Sequence, residues 1–148
     1  MNVDDNDRTD DAATDDGAAE RFTVSIGLHE DFIVVRAAGE LDYASAGLLH
    51  RQAKGAWKTT RSRVLVVDLS GLTFCDSMGV GVLVLLLRQS LEQQSMLVLS
   101  GIPRHLERTL AMTGLRNAFQ VEASVEEAIQ AAQTTSRPAA APEASERG

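Results

Sequence analysis

Basic residues are in short supply in this chain of 148: 14 Lys and Arg stand against 21 Asp and Glu, for a formal net charge of −7. Phosphate backbones are held by clustered Lys and Arg, so the deficit argues against nucleic acid as a direct partner. It argues equally against an anionic membrane surface. Cysteine is nearly absent. The single thiol, Cys75, forms neither a disulfide framework nor a cysteine-rich metal site, and it fits a reducing compartment. Long apolar runs are missing as well. The longest, around Val80 to Leu87, falls far short of the roughly 20 residues of a membrane-spanning helix. The first twenty residues are acidic and hold no apolar stretch of the signal-peptide kind. A soluble, cytoplasmic protein without a membrane partner is the expectation. Aromatics make up only 4% of the chain against 44% hydrophobic residues, so the core must be aliphatic.

The motifs of enzymes are missing too. His29, His50 and His105 are scattered and stand in no metal-ligand spacing with Cys75. No G-x-S-x-G elbow surrounds Ser77, and no glycine-rich loop is followed by the lysine of a phosphate cradle. The expectation is a protein with no catalytic residues, no metal and no cofactor. Cys75, beside Phe74, reads as a small buried hydrophobe rather than a redox switch.

What is present is a regular alternation of strand and helix patterns between two polar ends. Residues 1–20 (MNVDDNDRTDDAATDDGAAE) and 134–148 (TTSRPAAAPEASERG) contain too little apolar bulk to offset the entropy of ordering, and read as disordered tails. The folded domain is then expected over 21–133. Phe22, Val24, Ile26 and Leu28 alternate as a half-buried strand does, and Phe32 to Ala38 (FIVVRAA) forms a hairpin with it. Gly39-Glu40-Leu41-Asp42 ends the second strand, and Asp42 caps a helix reaching about Trp57. Val64 to Leu69 (VLVVDL) is apolar on both faces, as a covered central strand is. A helix from Ser77 to about Gln93 follows, although its Val-rich start would also suit a strand. Met96 to Ser100 is another buried strand, Pro103 opens a helix that stops before Gly114, and Phe119 to Val121 is a short last strand. Ser124-Val125-Glu126-Glu127 is a capping box for a final helix. The order β-β-α-β-α-β-α-β-α predicts an α/β fold: a mixed, mostly parallel β-sheet with about four helices.

The segment Val66 to Leu87 (VVDLSGLTFCDSMGVGVLVLLL) is the most informative. It places one hydroxyl, Ser77, at a helix N-terminus, where backbone N–H groups are unsatisfied and carry partial positive charge. Ser77 in that place can cap the helix, or it can carry a phosphate that the helix end tolerates. Asp68, near the end of the central strand, is suited to accept turn N–H groups.

Three stretches taken together go further than any one of them. Gly39-Glu40-Leu41-Asp42, Asp68-Leu69-Ser70-Gly71-Leu72 and Phe74-Cys75-Asp76-Ser77-Met78-Gly79-Val80-Gly81-Val82-Leu83 resemble the STAS domain family of anti-sigma factor antagonists. The likeness spans about Phe22 to Ala132 and includes Met112-Thr113-Gly114-Leu115. Asp76, Ser77, Gly79, Gly81, Val82 and Leu83 match the family pattern; Met78 stands where the family often has Ser or Thr, and Val80 replaces Leu.

The resemblance implies a switch. The unphosphorylated protein would bind an anti-sigma factor and so free a sigma factor. That anti-sigma factor, as an ATP-dependent serine kinase, would phosphorylate Ser77, and a metal-dependent serine phosphatase would reverse the step. Asp42, Asp76, Met78, Gly79 and Val80 would surround the phosphosite and meet the partner. The alternative is a STAS domain that serves as a fixed scaffold in a signalling or transporter-associated complex without reversible phosphorylation. A weaker third reading is small-ligand binding at the helix end.

Overall fold

Residues 21–60 and 62–136 are described in the computed structural model of the protein. The stretches read as tails lie outside the described residues, except for residues 134–136, which continue the last helix beyond the boundary expected at 133. Strands β1 (Phe22–Leu28) and β2 (Ile33–Leu41) are followed by α1 (Ala46–Thr59), β3 (Val64–Cys75), α2 (Ser77–Glu92), β4 (Met96–Ser100), α3 (Arg104–Met112), β5 (Gln120–Glu122) and α4 (Val125–Ser136). The sheet order is β1-β2-β3-β4-β5. β1 and β2 are antiparallel, and every later neighbour pair is parallel. The expected mixed, mostly parallel α/β architecture with four helices is what the described residues form.

Period-2 alternation explains why the sheet needs cover on both faces. Ile33, Val35, Ala37, Leu65, Val67, Leu69, Leu97 and Leu99 share one core with Leu49 and Ala53 of α1, Leu83 and Leu86 of α2, and Leu106 and Leu110 of α3. Val34, Val66 and Val98 point the other way and pack on Ala128 and Ala132 of α4. α2 is the most apolar of the helices and lies against this sheet, which is why its valine-rich start folds as helix rather than strand.

Three local expectations are corrected. The segment after Leu69 is not a turn. β3 runs on to Cys75, because β2 also continues to Leu41 and pairs with it up to Leu41↔Cys75. A register shift between Arg36 and Ala38 absorbs the Ser70-Gly71 stretch that looks like a turn in isolation, and a second, between Gly39 and Glu40, absorbs Thr73. Gly39 therefore lies inside β2 rather than ending it. Its φ is +100°, and a side chain there would overlap the Arg21 carbonyl, so the position accepts only glycine.

Asp42, finally, is not the cap of α1. Its Oδ1 accepts N–H bonds from Ala44 at 3.0 Å and Ser45 at 3.2 Å, which closes a turn before the helix. α1 begins only at Ala46, whose N–H donates to the Asp42 carbonyl at 2.8 Å. Asp68 accepts the Ser70 N–H at 3.1 Å, as expected, and also pairs with Arg36 at 3.5 Å. Ser124 accepts the Glu127 N–H at 3.1 Å, the forward half of the capping box.

Candidate functional site

β2 and β3 end side by side, and that shared end positions the start of α2. The Asp76 N–H donates to the Leu41 carbonyl at 3.1 Å. Asp76 has extended backbone angles (φ −94°, ψ −171°), and its Oδ1 accepts the Gly79 N–H at 2.9 Å. Asp76 is thus the N-cap of α2, a place for which aspartate is among the best residues. Ser77 becomes the first residue of the helix and is released from capping. Its side chain is exposed, and among the described residues its hydroxyl has no hydrogen-bond partner.

The second Asp76 oxygen does different work. Oδ2 accepts the N–H of Tyr43 at 3.2 Å. One carboxylate therefore joins the helix start to the loop between β2 and α1, across 33 positions of sequence. That bond brings the Tyr43 backbone to Asp76, the residue before Ser77; Tyr43 is 79% exposed, Met78 on the same helix 55% and Phe74 near the end of β3 48%. Ser77 is exposed at this helix start, and three large side chains that follow or precede it in sequence or belong to the tied loop are exposed as well. Large exposed hydrophobics are individually ordinary; several on the segments that meet at one helix start are apolar area that a partner can bury.

The residues named from sequence separate into two groups. Ser77 and Met78 face solvent; Asp76 and Asp42 are half-buried and shape the two loops that meet there. Gly79 and Val80 are buried. A β-carbon at Gly79 would stand 2.7 Å from both the Leu41 carbonyl and the Cys75 Sγ, so glycine is what lets α2 start this close to the strand ends. Val80 belongs to the main core. Their contribution to the site is to hold the helix start in place, since their own atoms are covered. Tyr43 and Phe74 were missed by sequence reasoning. No short-range pattern ties Tyr43 to Asp76; only the β2–β3 pairing does.

Burial, and secondarily the Asp76 charge, push the Cys75 thiol up to about 11, so it is protonated near neutrality and a poor nucleophile. His29 stacks on Phe32 with ring centroids 4.4 Å apart, and His50 Nε2 lies 3.2 Å from Gln89 Oε1. Among the described residues no group of three His, Cys, Asp or Glu side chains is arranged to hold a metal. No described helix is long and apolar enough to cross a membrane.

A five-stranded mixed sheet packed by helices on both faces, with an exposed serine at the aspartate-capped start of one of them, defines a small α/β domain. The sequence pattern of the STAS domain matches residues 24–128, and the chain belongs to the STAS domain family. It is 31% identical over 104 residues to the anti-sigma-B factor antagonist of Listeria monocytogenes, an alignment covering 68% of this chain and 90% of that protein. The structure of an anti-sigma factor antagonist from Mycobacterium paratuberculosis superimposes with a TM-score of 0.64 at 26% identity, over 76% of this chain and 94% of that one. The unphosphorylated form of the anti-sigma factor antagonist SpoIIAA shares the fold, with a TM-score of 0.66 at 20% identity, over 76% of this chain and 97% of that one.

Proposed function

We propose that this protein is an anti-sigma factor antagonist whose unphosphorylated form binds an anti-sigma factor with serine kinase activity, and that phosphorylation of Ser77 switches it off. The observation that carries the reading is the division of labour at the start of α2: Asp76 takes the cap, and the neighbouring Ser77 hydroxyl is left exposed, with no hydrogen-bond partner among the described residues. The relationship to proteins named anti-sigma factor antagonists supports it.

The chemistry is a phosphoryl transfer in which this chain is the substrate. Ser77 Oγ attacks the γ-phosphorus of ATP bound to the kinase, the bond from that phosphorus to the bridging oxygen breaks, and ADP leaves. The hydroxyl proton passes to a base on the kinase. The product carries about −1.5 to −2 extra charge. The α2 N-terminus accommodates that charge with its dipole and free N–H groups, so the fold survives. The partner interface does not: phosphate next to the Asp76 carboxylate must be desolvated against the bound surface. Phosphate thus weakens binding more than stability. A metal-dependent serine phosphatase resets the switch.

The test uses the purified full chain, magnesium ATP and the purified anti-sigma factor kinases of the source organism. One of them should add a single phosphate, mapped to Ser77 by mass spectrometry, and Ser77→Ala should abolish it. Ser77→Asp should melt at or slightly above the wild-type temperature, because a carboxylate at a helix N-terminus is favourable by about 0.3–1 kcal/mol. It should bind that kinase more weakly than wild type. Phosphate mapped to Ser70, which is also exposed, would refute the assignment. A kinase that binds the wild-type chain and the Ser77→Asp variant equally would identify a scaffold instead.

A further inference from the structure

Two glycines on α2 look equivalent in sequence and are opposites in space. Gly79 is buried and required, as its close approach to Leu41 and Cys75 shows. Gly81 is exposed, and a β-carbon built on it meets nothing within 4 Å. It has no positive φ to explain it either, since the glycines in that conformation are Gly39, Gly101 and Gly114. Glycine inside a helix is destabilising relative to alanine. Gly81 therefore weakens α2 with no return in packing, turn geometry or backbone conformation.

Its position supplies a reason. Gly81 follows Ser77 by four residues, so the two lie on one helix face, one above the other. Helical side chains lean toward the N-terminus and cover the turn before their own α-carbon. A β-carbon at position 81 touches nothing, but a longer side chain there would extend along this face toward Ser77. The other near neighbour on that side, Val80, is turned into the core. The next side chain on the exposed face is Leu85, 38% exposed and a further turn away. Between Ser77 and Leu85 the backbone at Gly81 is thus uncovered, flanked by exposed Met78 and half-buried Val84.

We propose that Gly81 is an access residue: its missing side chain leaves Ser77 Oγ open along the helix and lets the main chain of the anti-sigma factor kinase come down onto α2 there. This rests on the Ser77 reading above and assigns a role to a residue that contributes nothing to the fold. The partner it fits presents a close-lying backbone segment flanked by apolar groups that cover Met78 and Leu85.

Gly55 provides an internal control. It is an exposed glycine in α1 whose β-carbon would also meet nothing within 4 Å, and it is remote in sequence from the Ser77 loop. Gly81→Ala, Gly81→Leu and Gly55→Ala are compared with wild type in melting, in calorimetric titration with the purified kinase that phosphorylates Ser77, and in phosphorylation rate. Both alanine variants should melt about 3–4 °C higher than wild type. Gly55→Ala should bind and accept phosphate as wild type does. Gly81→Ala should lose about tenfold in affinity and rate, and Gly81→Leu about a hundredfold, with both remaining folded. Affinity of Gly81→Leu within twofold of wild type would overturn the proposal, and so would a lower melting point for Gly81→Ala, which would give the glycine to the fold. Failure of the wild-type chain to bind any of the kinases would instead overturn the Ser77 reading, and this inference with it.

Discussion

Asp76 is the residue on which the site's geometry most depends, and its removal can be worked through in advance. Asp76→Ala deletes two bonds at once: the cap to Gly79 N–H at 2.9 Å and the tie to Tyr43 N–H at 3.2 Å. Loss of an N-cap costs about 1 kcal/mol, and a net hydrogen bond to a half-exposed acceptor contributes about as much again. Together that is about 2 kcal/mol. For a domain of this size each kcal/mol moves the melting temperature by roughly 4 °C, so the variant should melt about 8 °C below wild type. Asn keeps the acceptor oxygen, and as an N-cap it is nearly the equal of Asp. Asp76→Asn should therefore lose only about 1 kcal/mol. Thermal denaturation followed by circular dichroism at neutral pH reads all three proteins. An alanine variant that melts within about a degree of wild type would refute the double tie. Asparagine as harmful as alanine would show that charge, not cap geometry, is what matters. The same pair reports on the switch: without the Asp76 charge beside it, phosphate on Ser77 should weaken kinase binding less in Asp76→Asn than in wild type.

Gly79→Ala should destabilise by about 1–3 kcal/mol, because the added methyl meets the Leu41 carbonyl, a backbone atom that cannot step aside; a melting curve unchanged from wild type would contradict the close approach. Cys75 should react with a disulfide reagent at pH 8 about a hundredfold more slowly than an ordinary thiol, since its thiolate forms only toward pH 11. Because folding raises that pKa above its ordinary 9.0, the stabilising contribution of the neutral thiol is complete below pH 9 and fades as pH rises toward 11. Cys75→Ala should therefore flatten the fall in stability over that alkaline window, as read by denaturant titration at several pH values.

The element order, the aliphatic core and an Asp-Ser pair at a helix start are legible in the chain's own residues. Those are local properties. The alternation of Phe22, Val24, Ile26 and Leu28, the doubly apolar VLVVDL run and the Ser124 capping box each depend on neighbours within a few residues, so the pattern can be read without knowing the fold. Ser77 beside Asp76 is visible in the same way.

The tertiary structure alone decided which of the two is the cap, where β3 ends and which loop is tied to the helix start. Ser70-Gly71 has the composition of a turn, yet parallel pairing with β2 satisfies its backbone and carries the strand to Cys75. Asp42 has the composition of a helix cap and bonds the N–H groups of Ala44 and Ser45 as a cap would, yet those residues form a turn and the regular helix starts only at Ala46. Two glycines two residues apart are indistinguishable as letters; Leu41 and Cys75 make one of them obligatory and leave the other free. Tyr43 reaches Asp76 only because the ends of β2 and β3 lie side by side and the Asp76 carboxylate bonds across the gap. Such contacts join residues more than thirty positions apart, and their partners are chosen by strand register, which no short window of sequence contains.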